Sequence, residues 1–279
     1  MKNAAAEARQ DFTRPTPTLS AGPSVYDTVR VRLGQPADPL SWEVIGAIAR
    51  VVTTPDDRPI RTIVTGRRRI TTGIYPSTKS GRSFPFEGMN ERGFLMRCEV
   101  DTDVVDYRAQ PFRFEFVVDG AKRIYIADCA RLLASGQIEV VEVKNDRRAL
   151  SDPDYALKLT YVREICAQLG WGFRVVLKDE IFAPSVVFAN VVAIQSRRQV
   201  KYDASHAYLA FNLIDRMGGE APLDRIAETL GERRAGMAMT QAMMVGRLVD
   251  IDLSTPLGDD SLVRLVTGSR SCLHMGGVS

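Results

Sequence analysis

The sequence predicts an α/β fold: a mixed sheet flanked by helices, then a mainly helical C-terminal domain. Two stretches carry that reading. Strands over Phe112–Val118, Arg123–Asp128 and Ile138–Lys144 precede a helix and a last strand, Phe173–Leu177, an order that builds a mixed sheet with Ile138–Lys144 at its centre. After Pro184 the pattern turns helical. At 279 residues the chain can hold two domains with cores of their own.

Residues 1–23 are rich in Ala, Thr, Pro and Ser and bury too little to order themselves, so they read as a disordered tail. Residues 24–83 form an N-terminal extension with a helix expected over Pro39–Val52, the turn Thr54–Pro59, and short β-like stretches Ile60–Val64 and Arg69–Thr72. Between Arg50 and Arg82 eight basic residues face only Asp56 and Asp57. Such an excess suits a phosphate backbone, with Arg67, Arg68, Arg69, Lys79 and Arg82 as candidate DNA contacts; a solvated basic hairpin or a dock for an acidic partner fits it too.

Residues 84–183 hold the core. Phe86–Leu95 reads as a helix start, and Asp154–Leu169 as a helix with Leu157, Tyr161, Ile165 and Leu169 in one stripe, ended by Gly170. Residues 184–268 follow with a linker or helix at Asn190–Gln199, a helix at Ala204–Met217 and a break at Gly218-Gly219. A second pair, Pro222–Gly231 and Met237–Leu248, reads as helix-turn-helix, with Arg233 and Arg234 before the second helix. Val249–Leu253 and Leu262–Val266 make a hairpin-like wing, and 269–279 a flexible tail. Met237, Met239, Met243 and Met244 suit either a soft protein-binding surface or core packing.

The chemistry concentrates on two acidic strands, expected to be neighbours. Asp128 closes one, and in Glu142-Val143-Lys144 the period of two sends both charges to one face while Val143 points into the core. Carboxylates fixed on adjacent strands supply the hard oxygens that Mg²⁺ takes, and an ammonium beside the ion can orient a water or offset charge on a phosphate.

These residues resemble the TnsA-type transposon endonucleases of heteromeric bacterial transposases, within the PD-(D/E)XK nuclease superfamily. The family pattern has a helix with a catalytic Glu before Phe-Leu, a Val-x-x-(Ile/Tyr)-x-x-Gln-Pro stretch, a strand ending in Asp, and then Glu or Gln, any residue, Lys. Here these are Glu91, Val104–Pro111, Asp128, and Glu142 with Lys144. Glu87 competes for the helix position, but Glu91 stands in register, four residues before Leu95. Ala127 replaces the usual Pro, and Cys129 a common Phe; neither change touches an acid.

The resemblance implies a restriction-endonuclease-like sheet and a winged-helix-like C-terminal domain. It implies a DNA endonuclease cutting one strand at transposon ends, with Mg²⁺, or Mn²⁺ in its place, held by Glu91, Asp128, Glu142 and the backbone carbonyl of Val143, and with Lys144 positioning the attacking water. Gln110 recurs beside the site in relatives, so it either bonds a carboxylate or metal-bound water or caps the chain before Pro111. The implied partners are double-stranded DNA, an integrase-type transposase subunit and an ATP-dependent regulator. A free-standing restriction- or repair-type nuclease and a non-catalytic adaptor are the competing readings.

Cys98, Cys129, Cys166 and Cys272 lack metal-ligand spacing, and His206 and His274 lie far from the acids, so no zinc site is expected. No apolar run is long enough to span a bilayer and the start lacks a signal-peptide core, which predicts a cytoplasmic protein; the resemblance implies that it is bacterial and at the nucleoid when bound to DNA.

Overall fold

A computed structural model of the protein describes residues 23–34, 41–42, 47–54, 58–61 and 71–266. Arg67, Arg68 and Arg69, nearly all of the expected N-terminal tail, most of the two β-like stretches and the C-terminal tail lie outside the described residues.

Helix α1 (Val25–Gly34) is followed by strands β1 (Ser41–Trp42) and β2 (Ala47–Thr53), which stand where a helix was expected. Tertiary pairing decides this: Ala49–Thr53 runs antiparallel to Phe112–Phe116, and the β-branched Val51, Val52 and Thr53 suit a pleated surface better than a helix. Strands β3 (Thr72–Ser77) and β4 (Arg82–Glu87) form a separate hairpin. Helix α2 (Met89–Val100) starts later than Phe86, because Phe86 and Glu87 still belong to β4 and Gly88, at φ 88°, makes the turn between them.

There follow β5 (Val104–Ala109), β6 (Phe112–Val118), β7 (Ala121–Ile126), β8 (Cys129–Leu133), β9 (Ile138–Lys144), a 3₁₀ turn, α3 (Pro153–Gln168) and β10 (Gly172–Leu177). One sheet has the order β1-β2-β6-β7 and a second the order β10-β9-β8-β5. The second is mixed: β10 is parallel to β9, while β9 with β8, and β8 with β5, are antiparallel. β9 is therefore interior, as expected. The strand leading to Asp128 is not its neighbour, because β7 lies in the first sheet and the chain crosses at Ala127-Asp128 into β8, which pairs with β9. No Gly or Pro marks that crossing, so the chain there reads as one strand.

The last part comprises α4 (Lys178–Phe182), α5 (Ser185–Ser196), α6 (Ala204–Arg216), β11 (Glu220–Pro222), α7 (Leu223–Thr229), α8 (Arg233–Val245), β12 (Val249–Ile251) and β13 (Leu262–Leu265), the three strands pairing as β11-β13-β12. Glu232 caps α8 by accepting the amides of Arg234 and Ala235, so Arg233 and Arg234 sit in its first turn and not before it. Met243 and Met244 are buried and Met237 and Met239 pack partly buried against the same core, which settles their role as packing.

Two apolar cores result. One joins Val25 and Val29 of α1, the aromatics of β6, and Leu159, Val162, Ile165 and Cys166 of α3. The buried stripe of α3 is rotated from the expected one: Leu157 is 42% exposed and Leu159 and Val162 point inward. The other core joins Phe94, Leu95 and Cys98 of α2 to Val143, Ile194, Phe211, Met243 and Val263, binding the C-terminal helices onto α2.

Candidate active site

Glu142 and Lys144 emerge on one side of the interior strand β9, and Lys144 Nζ lies 2.5 Å from Glu142 Oε1. Glu142 is buried, 3% exposed, and its other oxygen accepts from Tyr125 Oη at 2.6 Å. Tyr155, in the first turn of α3, donates its hydroxyl to Glu142 Oε1, and its ring lies 5.1 Å from the Lys144 ammonium and 4.9 Å from that of Lys158. Asp152 aims that turn by accepting the amides of Asp154 and Tyr155. Burial works against the charge on Lys144, but the pull of Glu142 and its hydrogen bond outweigh it and hold the ammonium above the ordinary lysine range. Tyr125 and Tyr155 are likewise held well protonated, by burial first and by the Glu142 charge second.

Asp128 sits at the crossing between the two sheets. Its Oδ2 accepts the Val143 amide at 2.9 Å and its carbonyl accepts the Gln110 amide at 3.0 Å. Burial, then the negative charge of Glu142, push its carboxyl up to about 8, against the opposing pull of the Val143 amide. Glu91, in the first turn of α2, accepts the Glu87 amide at 2.7 Å; burial and the charges of Glu87 and Glu142 push it up to about 7. Glu91, Asp128, Glu142 and Lys144 thus share one electrostatic neighbourhood. Among the described residues, no three acidic, His or Cys side chains stand close enough to hold an ion as they are placed, with Glu142 turned into its tyrosine and lysine bonds.

Gln110 takes φ 47°, and its backbone joins two segments to the site: its amide reaches Asp128 and its carbonyl accepts the Ile60 amide at 2.9 Å. Its side-chain Oε1 is buried without a hydrogen-bond partner. Lys79 is tied to the end of α2. Its ammonium donates to the carbonyls of Cys98 and Asp101, 2.9 and 2.5 Å away, closing the C-terminus of α2, and burial lowers it to about 8. Arg82 is exposed at the start of β4. The two tyrosines escaped the sequence reading because a Tyr in a strand or a helix looks like core; the available signal was their nearness in sequence to Asp128 and Lys144.

The stretch that carries this geometry has known relatives. Residues 101–178 match the family described as TnsA-like endonuclease N terminal. The TnsA-like segment runs from the residue after α2 to the start of α4, so it includes Gln110, Asp128, Glu142, Lys144 and both tyrosines, and leaves Glu91 just upstream. No curated protein matches the chain. Among the described residues no helix is long and apolar enough to cross a membrane.

Proposed function

We propose that the protein is a Mg²⁺-dependent DNA endonuclease that hydrolyses one strand at transposon ends as the TnsA-like subunit of a heteromeric transposase. The observation that carries this is the Glu142–Lys144 pair beside the half-buried Asp128, inside the segment that matches the TnsA-like family. In this reading residues 84–183 are the nuclease domain, 184–268 a winged-helix-like domain and 24–83 an extension. An integrase-type transposase subunit and an ATP-dependent regulator choose the DNA end.

The donor set fits a hard divalent cation. Glu91 and Asp128 are pushed toward their neutral forms, by burial first and by neighbouring carboxylate charge, that of Glu142 in both cases, a state that a cation at the site would relieve; the buried Oε1 of Gln110, whose backbone bonds Asp128, has no hydrogen-bond partner. Glu91, Asp128 and Glu142 would hold the ion, with the carbonyl of Val143 as a further oxygen. When bound, it supplies Lewis-acid polarisation of the phosphate and lowers the pKa of a water. The protein's own part is positional. Tyr125 and Tyr155 fix the Glu142 carboxylate, and Lys144, kept charged by Glu142, orients the attacking water and offsets charge developing on the phosphate.

The test is cleavage of transposon-end DNA by the full chain with Mg²⁺ and its candidate transposase. Lys144→Ala is expected to fold and bind DNA while cutting falls by orders of magnitude, as for loss of a positioned transition-state group. Near-parental cutting by that variant removes the reading, and efficient cutting of naked DNA without a partner points instead to a free-standing nuclease.

A further inference from the structure

Helix α3 brings a second ammonium to the ring that lies against Lys144. Tyr155 and Lys158 stand three residues apart, so they share one side of the helix, and side chains there lean back toward its N-terminus, which carries Lys158 over Tyr155. The Lys158 Nζ lies 4.9 Å from the ring centre and the Lys144 Nζ 5.1 Å from the same centre. The two differ in what offsets their charge. Lys144 meets Glu142 at 2.5 Å, whereas Lys158 is half-buried and, among the described residues, meets no carboxylate and no hydrogen-bond acceptor.

The spacing offers Lys158 an ordinary partner. Asp154 stands four residues before it, the separation of a helix ion pair, yet Arg123 of β7 donates to both Asp154 oxygens at 2.8 Å. Asp152, the other acid at this end of α3, is taken by the amides of Asp154 and Tyr155. The ring attracts the Lys158 charge but uses none of its three N–H donors, so the ammonium is held in place with its donors open to an incoming acceptor. A phosphate oxygen is the acceptor that suits a compact cation of this kind. Position argues for a phosphate in a polymer: two ammoniums against one ring span at most a few nucleotide steps of ~3.4 Å, so a strand with one phosphate at Lys144 carries the neighbouring ones past Lys158.

We infer that Lys158 binds a backbone phosphate of the DNA strand being cut, beside the phosphate that meets Lys144, and so fixes the register of that strand on the acids. The inference rests on the nuclease reading for which strand is cut. Binding of transposon-end duplex by the full chain is measured in EDTA across a salt series, so that cleavage plays no part. Lys158→Gln is expected to bind more weakly and to flatten the plot of log affinity against log salt by about 1, the share of one phosphate, while Lys158→Arg keeps the charge and the ring contact and stays near the parent. Both variants should melt cooperatively, since the Lys158 ammonium makes no hydrogen bond within the described residues. Neutral methylphosphonates placed one at a time along each strand locate the contact: at one position near the cut the parent loses affinity and Lys158→Gln, having no contact there, does not.

A parental slope in Lys158→Gln overturns the inference. So does a methylphosphonate effect that parent and variant share at every position, or one confined to the uncut strand. Parental DNA binding by Lys158→Gln together with loss of the candidate transposase also overturns it, and gives the lysine to an acidic protein surface. Failure of the nuclease reading looks different, since the parent would not cut in the assembled complex although the salt slopes still separate parent from variant.

Discussion

At Tyr155 one hydroxyl serves Glu142 while the ring lies against the Lys144 ammonium, so one side chain sets the geometry of both charged residues on β9. Tyr155→Phe keeps the ring and loses the bond. It should change stability by only about 1 kcal/mol, the usual net value of one hydrogen bond, yet depress cleavage and raise the metal concentration needed for half-maximal cutting; melts and a metal titration check both halves. The raised carboxyls give a pH prediction with a definite sign. Asp128 moves from 3.8 to about 8 and Glu91 from 4.5 to about 7, so between these values the folded chain holds protons that the unfolded chain has released. In EDTA these two groups make stability fall as pH rises from about 4 to about 8 and level off beyond. Asp128→Asn should remove most of that fall, which urea melts of parent and variant at pH 5 and pH 8 would show; an unchanged parent-minus-variant difference would refute the assignment. At this scale the sequence disclosed Glu142 and Lys144, because a period of two is simple to read on an apolar strand. It did not disclose that the Lys79 ammonium closes the end of α2, since a charge in a sequence does not show which backbone carbonyls it meets.

Between elements, glycines fix the closest approaches. A Cβ on Gly236 of α8 would stand 2.1 Å from the carbonyl oxygen of Ala227 on α7, and one on Gly93 of α2 would meet Ile181 and Phe182 side-chain atoms at 2.9 Å. Helix propensity alone favours Ala over Gly by about 1 kcal/mol. Gly236→Ala should nevertheless destabilise strongly, because backbone cannot step aside, and Gly93→Ala less, because side chains can; overpacking usually costs about 1–3 kcal/mol, and urea melts of the two variants give the order. Helix α3 was legible down to its Gly170 stop, although its buried stripe was not, and its start lies one residue earlier, at Pro153 behind the Asp152 cap. β2 and β8 were illegible for a shared reason: a short apolar strand gains its identity from the partner it pairs with, Phe112–Phe116 for the first and Val141 to Ile138 for the second.

Over the whole molecule, the sequence suggested a C-terminal domain that could be cut away, whereas the structure runs one core from α2 through Val143 to Met243 and Val263. Removing residues 184–279 strips Val191, Ile194 and Met243 from that core, so the truncated chain should lose its cooperative melt. A divalent ion should act in the opposite direction on the full chain. Binding to the folded state alone contributes about 2.7 kcal/mol at a hundred times the dissociation constant, and the rise in melting temperature should vanish in Asp128→Ala. The crossing at Gln110 and Asp128 adds a statement about time. Asp128 is tied to Gln110 and to the Val143 amide, and Gln110 to Ile60, so its surroundings are complete only after both sheets and the chain from residue 60 have come together. A state reached only after the folding barrier cannot be favoured on the way up to it. Mg²⁺ should therefore leave the refolding rate where it is and express its whole stabilisation as slower unfolding, so that the ion works as a latch on the finished molecule.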